Sequence, residues 1–279
     1  MTPPGMTPPV ALTIAGSDSG GGAGIQADLK TFAMHGVFGT SVVTALTAQN
    51  TLGVQAIQPT HGGFTAAQLD ALLADLPPAA AKTGMLATAE NVRAIAGRAA
   101  ALPNLVVDPV LVSSTGQRLF ETATERAYLD VLFPHARVVT PNLREAAALT
   151  GRSLSTVDDM VAAAEQLAGT GAGCVVVKGG HLAGPVAVDV VWHKGDVELV
   201  SAGRVDTGND HGTGCTFAAA LTARLALGFG LPEAIRAAKT YVVQGLSIGA
   251  AWRLGAGHGP LGWAPVETSW APVETGSRH

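Results

Sequence analysis

The run of residues from Asp206 to Cys215 contains the groups best suited to chemistry in this sequence. It leads directly into an apolar stretch, so its last residues are predicted to form the first turn of a helix. The unpaired amides of Gly212, Thr213 and Gly214, with the positive end of the helix dipole, predict an anion site. The same field is expected to lower the pKa of the Cys215 thiol. An anion site beside an ionisable group indicates group transfer, with phosphate as the anion.

A second set of polar side chains lies at the ends of predicted strands, where open α/β sheets bind ligands. Asp108 ends one apolar strand and Lys178 ends another, while Asn142 and Glu145 follow a third. Asn142 and Glu145 are spaced as a helix capping box, but Glu145 and Asp108 are also carboxylates that could hold Mg²⁺ beside nucleotide phosphates. Lys178 either extends its ammonium to solvent or reaches a transferring phosphoryl group.

A glycine-rich loop, Gly16–Gly24, follows the first predicted strand. Its Asp-Ser-Gly-Gly segment is similar to the nucleophile segment of trypsin-type proteases, but no histidine precedes Ser19, so the protease interpretation fails. The segment Gly22–Ala27 fits a dinucleotide fingerprint, although the loop is too long and the second strand lacks a terminal acid. The remaining interpretations are a structural turn, or a flexible lid or substrate loop in which Asp18 and Asp28 meet polar groups of a small ligand.

Short β-branched runs alternate with helical patterns almost from end to end, which predicts an α/β fold with a mostly parallel sheet covered by helices on both faces and an edge hairpin. The predicted strands are Val10–Ala15, Thr40–Ala48, Lys82–Leu86, Leu105–Asp108, Val138–Thr140, Cys174–Lys178, Val186–His193 and Val197–Ser201. The predicted helices are Ile25–His35, Ala66–Leu76, Ala89–Ala101, Thr122–Leu132, Asn142–Thr150, Val157–Gly169, Gly212–Gly228 and Pro232–Ala250.

Composition narrows the class of protein. The chain of 279 residues is 47% hydrophobic, which is enough for a large core. We expect a single domain over 10–262, a flexible segment over 1–9 and a disordered tail with a repeated sequence over 263–279. A formal charge of −4 argues against a nucleic-acid partner. The sequence has no secretory signal, membrane-spanning stretch, P-loop or zinc motif, and its two cysteines suit a reducing compartment. We therefore expect a cytoplasmic protein with no membrane partner.

Together these segments resemble the ribokinase-like small-molecule kinases, and specifically the hydroxymethylpyrimidine/phosphomethylpyrimidine kinases of thiamin synthesis. The resemblance covers roughly residues 10 to 262. It rests on the segments Ala11–Asp18, Gly21–Thr31, Thr44–Thr51, Lys82–Leu86, Asp108–Val110, Thr140–Asn142, Lys178–His181 and His211–Cys215. It implies a three-layer sandwich, the cosubstrate ATP with Mg²⁺, a small pyrimidine alcohol as substrate and, commonly in the family, a homodimer.

The resemblance also implies roles for individual residues. Gln49 would recognise the pyrimidine, since an amide can donate to and accept from an aminopyrimidine side by side. Cys215 would take the proton of the hydroxymethyl group, and Lys178 would follow the phosphoryl group in transfer. The residues expected near the pyrimidine are Gly16, Asp28, Met85 and Val110; the amides expected to stabilise the phosphoryl group are those of Gly212, Thr213 and Gly214; and the residues expected to serve MgATP are Asn142 and Glu145.

The family phosphorylates first the alcohol and then the monophosphate. One position departs from its pattern: Asp210 stands where threonine is usual, and its carboxylate either weakens phosphate binding or faces solvent. Two alternatives stay open at this point. A pyridoxal or pyridoxamine kinase has the same fold and a similarly sized ring, and a non-catalytic nucleotide-binding protein could use the same scaffold.

Overall fold

The computed structural model describes residues 7–111 and 122–266. Within them, nine strands form one sheet in the order β3-β2-β1-β4-β5-β6-β7-β8-β9. Their bounds are Val10–Ser17 (β1), Phe38–Asn50 (β2), Gly53–Pro59 (β3), Ala80–Thr83 (β4), Val106–Val107 (β5), Val138–Val139 (β6), Cys174–Val177 (β7), Val186–His193 (β8) and Asp196–Gly203 (β9).

The six central strands, from β2 to β7 in spatial order, are parallel, and both edges of the sheet are antiparallel. The expected hairpin, β8–β9, lies at one edge, and Lys194 and Gly195 both adopt positive φ in its two-residue turn. Strand β3 at the other edge was not predicted. It ends in Pro59 and its side chains do not alternate between buried and exposed, so it carries little of the period-two signal of a strand.

Eight α-helices cover the sheet in the described part of the chain. They are Gly24–Met34 (α1), Gly62–Asp75 (α2), Ala89–Ala96 (α3), Thr122–Ala127 (α4), Leu143–Thr150 (α5), Val157–Ala168 (α6), Thr213–Ala226 (α7) and Leu231–Gly249 (α8). The predicted helix Thr122–Leu132 is α-helical only to Ala127 and continues as a π-turn over Tyr128–Leu132. None of the helices in the described ranges is both long and apolar enough to cross a membrane.

The core consists of two apolar layers, one on each face of the sheet. Successive valines of the short central strands point to opposite faces: Val107 packs with α2 to α6, whereas Val106 packs with α7 and α8. Burying each such side chain contributes about 1.5–3 kcal/mol, so these strands hold the sheet although two of them contain only two residues. The predicted three-layer α/β sandwich is confirmed.

Residues 263–266 correct the predicted start of the tail. The indole of Trp263 stacks against the Lys30 ammonium, which lies 4.5 Å from the ring centroid. The Val266 amide donates to the Met34 carbonyl at 2.9 Å, and the Tyr241 hydroxyl donates to the Ala264 carbonyl at 3.2 Å. These residues are therefore part of the packed structure. The ends at 1–6 and 267–279, where we expect flexible segments, lie outside the described residues.

Candidate active site

A cleft opens at the carboxyl ends of the parallel strands, where the glycine-rich loop meets the start of α7. Nearly all the predicted site residues line it, namely Gly16, Gln49, Met85, Asp108, Val110, Asn142, Glu145, Lys178, Gly212, Thr213, Gly214 and Cys215. The topology explains this convergence, because the loops after β1, β4, β5, β6 and β7 all leave the same edge of the sheet.

The anion site predicted at the start of α7 depends on glycine. Gly212 has a φ of +85°, and a side chain there would overlap the carbonyl oxygen of Gly22. The Thr213 amide donates to the Asp210 carbonyl at 3.3 Å, so it helps to close the turn that leads into the helix. A Cβ on Gly214 would lie 3.2 Å from the Lys178 ammonium. The positive group of Lys178 is therefore held directly over the first turn of α7.

Lys178 is paired rather than extended into solvent. Its ammonium donates to Asp108 at 2.8 Å, and the same carboxylate oxygen accepts from the Thr140 hydroxyl at 3.0 Å. Burial lowers the pKa of Lys178, but the carboxylates of Asp108 and Glu145 outweigh burial and the pKa lies above its ordinary value. The lysine therefore keeps its charge beside the anion site.

Asn142 and Glu145 form the capping box that their spacing predicts. The Glu145 carboxylate accepts from the Asn142 amide at 2.8 Å, and the Asn142 side chain accepts from the Glu145 amide at 3.0 Å. Burial raises the pKa of Glu145 to about 8, aided by the nearby Asp108 carboxylate and opposed by Lys178. A bound cation would remove part of this cost, so the donor set suits a divalent ion. No group of three His, Cys, Asp or Glu side chains suited to a metal occurs in the described residues.

The pKa of Cys215 differs from the sequence prediction. We expect the start of a helix to lower it, but burial raises the pKa of the thiol to about 12, and the Lys82 ammonium lowers it only in part. The Gly24 amide donates a hydrogen bond to the sulfur, which is likewise insufficient. Desolvation of a thiolate in this partly enclosed position outweighs the field of the helix. The thiol is therefore protonated at neutral pH.

Asp18 organises the glycine-rich loop. Its carboxylate accepts from the amides of Gly20, Gly22 and Ala23 at 2.8–3.0 Å and lies 3.0 Å from Nε2 of His211. Burial raises the pKa of Asp18, but the hydrogen bonds from His211 and the amides outweigh burial, so the pKa is lowered. The loop is thus held by an ionised carboxylate, which also lines the cleft.

Gln49 reaches the cleft from the end of β2. Its Oε1 lies 3.3 Å from the Thr47 hydroxyl, and its Nε2 lies 3.2 Å from His211 Nε2. Met85 lines the same cleft, and its carbonyl accepts from the Gly16 amide at 3.0 Å. An amide and a thioether in one cleft are suited to a flat ring with polar edges.

Asp28 requires a correction, because it does not line the cleft. Its carboxylate is fully buried beneath the cleft, where it accepts from the Lys82 ammonium at 2.8 Å and from the Thr13 hydroxyl at 2.6 Å. Sequence reasoning gave Lys82 no role. Lys82 shows the same sequence signal as Lys178, because each is a lysine beside an apolar strand and a small residue. Lys82, however, lies inside β4, and its ammonium forms a buried ion pair with Asp28.

A second cavity adjoins the first one and was not predicted. Both are lined by Asn142, Lys178, His181, Asp210, Thr213 and Gly214, so the anion site lies between them. The second cavity extends between β8 and α8, over apolar side chains such as Val242 and Leu246 and the buried ion pair of Asp189 with Lys239, which is 2.8 Å long. At the rim, the carboxylate of the half-exposed Asp210 lies 2.9 Å from Nδ1 of His258.

The chain is similar in sequence and fold to known kinases. The pattern of the phosphomethylpyrimidine kinase family matches residues 18–262. The hydroxymethylpyrimidine/phosphomethylpyrimidine kinase of Rhizobium meliloti is 48% identical over 254 residues, which are 90% of this chain and 96% of that protein. The ADP complex of Bacillus subtilis pyridoxal kinase has a TM-score of 0.86 and 38% identity, covering 93% of this chain and 98% of that chain. The phosphomethylpyrimidine kinase of Clostridium difficile has a TM-score of 0.74 and 40% identity, covering 84% and 97%.

Proposed function

The chain belongs to the phosphomethylpyrimidine kinase family and is an ATP-dependent small-molecule kinase, and we propose that it phosphorylates 4-amino-5-hydroxymethyl-2-methylpyrimidine and then the monophosphate, in thiamin biosynthesis. The observation that carries the proposal is the pair of adjoining cavities, one ending at Gln49 and the other at apolar side chains of α8, with the start of α7 between them. Such an arrangement suits two ligands that meet at a phosphoryl group.

The nucleotide is proposed to occupy the second cavity, with its terminal phosphate at the amides of Gly212 and Gly214. The Lys178 ammonium, which lies over Gly214, would then offset the charge of the phosphoryl group as it moves. Asp108 holds this lysine by a 2.8 Å hydrogen bond, which fixes the position of the ammonium. The lysine is thus placed before the nucleotide binds.

Mg²⁺ is proposed to bind with the nucleotide, held by Glu145 and Asp108 together with phosphate oxygens. Magnesium beside phosphates commonly uses only one or two carboxylates, so the absence of a larger acidic cluster from the described residues is compatible with this site. When bound, the ion would supply charge neutralisation at the phosphates. The raised pKa of Glu145 supports the assignment, because it indicates a buried carboxylate that a cation would stabilise.

Cys215 is proposed to act as the base for the hydroxymethyl group. Its thiolate would take the hydroxyl proton while the alcohol oxygen forms a bond to the γ-phosphorus and the bond to the oxygen of ADP breaks. Since the pKa of the thiol is about 12, the reactive thiolate is a small fraction that forms by loss of a proton to solvent. A loose transition state requires little negative charge on the attacking oxygen, so this small fraction is compatible with turnover.

The test is product analysis by mass spectrometry after incubation with MgATP and the pyrimidine alcohol. We expect the monophosphate to form first and the diphosphate afterwards, with one ADP released for each phosphoryl group transferred. Gln49→Ala is the matched variant, which should slow both products at low alcohol concentration. Formation of neither product, with ATP consumed only when another alcohol is present, would reject the proposed substrate.

Pyridoxal is a second candidate substrate, because Bacillus subtilis pyridoxal kinase superposes on the chain with a TM-score of 0.86. The two alcohols are compared side by side in the same assay, and we expect the aminopyrimidine to have the higher kcat/KM. We also propose that the enzyme is a cytoplasmic homodimer. Sedimentation velocity of the full chain tests the dimer directly.

A further inference from the structure

His211 lies where three parts of the cleft meet, and the proposed reaction gives it no role. Its ring is almost completely buried and lies against Gly22, and it directly precedes Gly212, where the anion site begins. Its Nε2 is 3.0 Å from the Asp18 carboxylate and 3.2 Å from the side-chain amide of Gln49. One nitrogen atom thus faces both the loop and the proposed pyrimidine-binding residue.

The partners of His211 determine where its proton lies. The Asp18 oxygen that faces Nε2 also accepts from the amides of Gly22 and Ala23, which is the environment of an ionised carboxylate. An ionised carboxylate only accepts hydrogen bonds, so Nε2 of His211 must carry the hydrogen. A protonated nitrogen cannot accept from Gln49. The structure places the Gln49 Nε2 toward His211 at 3.2 Å, so two donors face each other. A half-turn of the amide exchanges its nitrogen and oxygen and places an acceptor, the Gln49 oxygen, toward the protonated nitrogen of His211.

Thr47 leads independently to the same orientation. Its hydroxyl donates its single hydrogen to the Ser17 carbonyl at 2.9 Å. The Gln49 Oε1, which lies 3.3 Å from this hydroxyl, then faces an oxygen that has no second hydrogen to donate. The same half-turn of the amide replaces Oε1 by the amide nitrogen, which can donate to the Thr47 hydroxyl. Two neighbours on opposite ends of the amide thus require one arrangement, with oxygen toward His211 and nitrogen toward Thr47.

The orientation of this amide decides which way an aminopyrimidine binds. In the proposed substrate the 4-amino group lies between ring nitrogen N3 and the hydroxymethyl group on C5. The amide oxygen accepts from the 4-amino group and the amide N–H donates to N3, so the hydroxymethyl group lies on the side of His211, toward Gly212 and Cys215. The opposite amide orientation would turn the hydroxymethyl group toward Thr47.

We propose that His211, held by Asp18, is a positioning residue that fixes the Gln49 amide so that the pyrimidine presents its hydroxymethyl group to the start of α7. The inference rests on the proposed function. His211 thus determines whether the pyrimidine binds in the productive or the reversed orientation, and it takes no part in proton transfer.

The test uses an analogue whose hydrogen-bonding edge is reversed. In the 4-oxo analogue, C4 carries an acceptor and N3 carries a hydrogen, so the fixed amide should bind this ring with its hydroxymethyl group away from Cys215. The wild-type enzyme should therefore prefer the amino alcohol strongly in kcat/KM. His211→Leu removes the group that fixes the amide, and this preference should fall by at least about tenfold, which is the effect of one hydrogen bond to a buried polar group.

Three further variants serve as controls for this result. His211→Gln places an N–H near the position of Nε2 and should retain most of the preference. Thr47→Val leaves His211 intact and removes the other contact of the amide, so it should lower the preference by about fivefold. His193→Leu, on the edge strand β8, is the matched control and should leave the preference unchanged.

Loss of activity on both alcohols in equal proportion, with the preference unchanged in His211→Leu and Thr47→Val, would overturn the inference and leave His211 a structural role. If His211→Leu fails to fold, Thr47→Val and His211→Gln decide alone. Failure of the proposed function is a separate outcome, since the wild-type enzyme would then phosphorylate neither pyrimidine.

Discussion

Without nucleotide, the stability of Glu145→Gln relative to the wild type should increase as the pH rises. The side chain is 3% exposed, and its pKa is raised from 4.5 to about 8 in the folded protein. A carboxyl group with a raised pKa holds its proton more tightly when folded. Stability from this group is therefore complete below about pH 4.5 and is lost as the pH rises toward 8.

The size of the effect follows from the two pKa values. Each pH unit between them is worth about 1.4 kcal/mol, and integration from pH 6 to pH 8 gives a loss of about 2 kcal/mol in the free energy of unfolding. Glutamine has the same shape, and its oxygen can still accept from the Asn142 amide, but it does not ionise. The stability of Glu145→Gln relative to the wild type should thus increase by about 2 kcal/mol over this range.

The measurement is urea unfolding of both proteins at pH 6, 7 and 8 without nucleotide. Asp158→Asn, in the exposed first turn of α6, is the matched control for replacing a carboxylate by an amide. A difference between Glu145→Gln and the wild type that stays constant from pH 6 to pH 8 would refute the reasoning. Turnover with MgATP should fall by about tenfold to a hundredfold in Glu145→Gln, since a carboxylate that serves the metal is lost.

Three other predictions concern the cleft and the pair beneath it. Cys215→Ala should lose about a hundredfold or more in turnover with an unchanged Kd for ATP. In the wild type, kcat/KM should rise steeply from pH 7 to pH 9 because the pKa of the thiol is about 12. A flat pH profile would exclude the thiolate as base. Gln49→Ala should raise the KM of the pyrimidine by about tenfold or more without changing that of ATP, and a change in the ATP value alone would place Gln49 in the wrong cavity. Lys82→Met should lower the free energy of unfolding, measured in urea, by about 3–5 kcal/mol because it leaves Asp28 charged and buried. The double variant Lys82→Met with Asp28→Leu should recover most of this loss. Equal instability of the double variant would contradict the ion pair.

Sequence periodicity predicts most of the fold because the central strands are buried on both faces. Runs such as Cys174–Val177 are continuously apolar, and the helices between them carry one apolar face. Strand β3 lacks that signal because its partner β2 lies on one side only and most of its side chains face solvent. An edge strand is specified by its neighbour more than by its own residues.

The site was predictable where spacing alone determines geometry. The capping box of Asn142 and Glu145 is local, so the sequence is sufficient for it. The pKa of Cys215 is set by how deeply the sulfur is enclosed, which depends on contacts between distant segments, and the prediction of a lowered value was wrong. The prediction that Asp28 lies near the pyrimidine is wrong for the same reason, since only the tertiary structure places Lys82 against Asp28.

The glycines of the first loop illustrate how one sequence signal has two physical meanings. Glycine-rich loops suggest mobility, and a flexible lid is one expected interpretation of Gly16–Gly24. In the structure, a Cβ on Gly22 would lie 2.6 Å from the His211 ring, and a side chain on Gly212 would overlap the Gly22 carbonyl oxygen. These glycines allow close approach between the loop and the start of α7. Because Asp18 and His211 join the same two segments, a change in the loop should alter pyrimidine orientation and phosphoryl binding together.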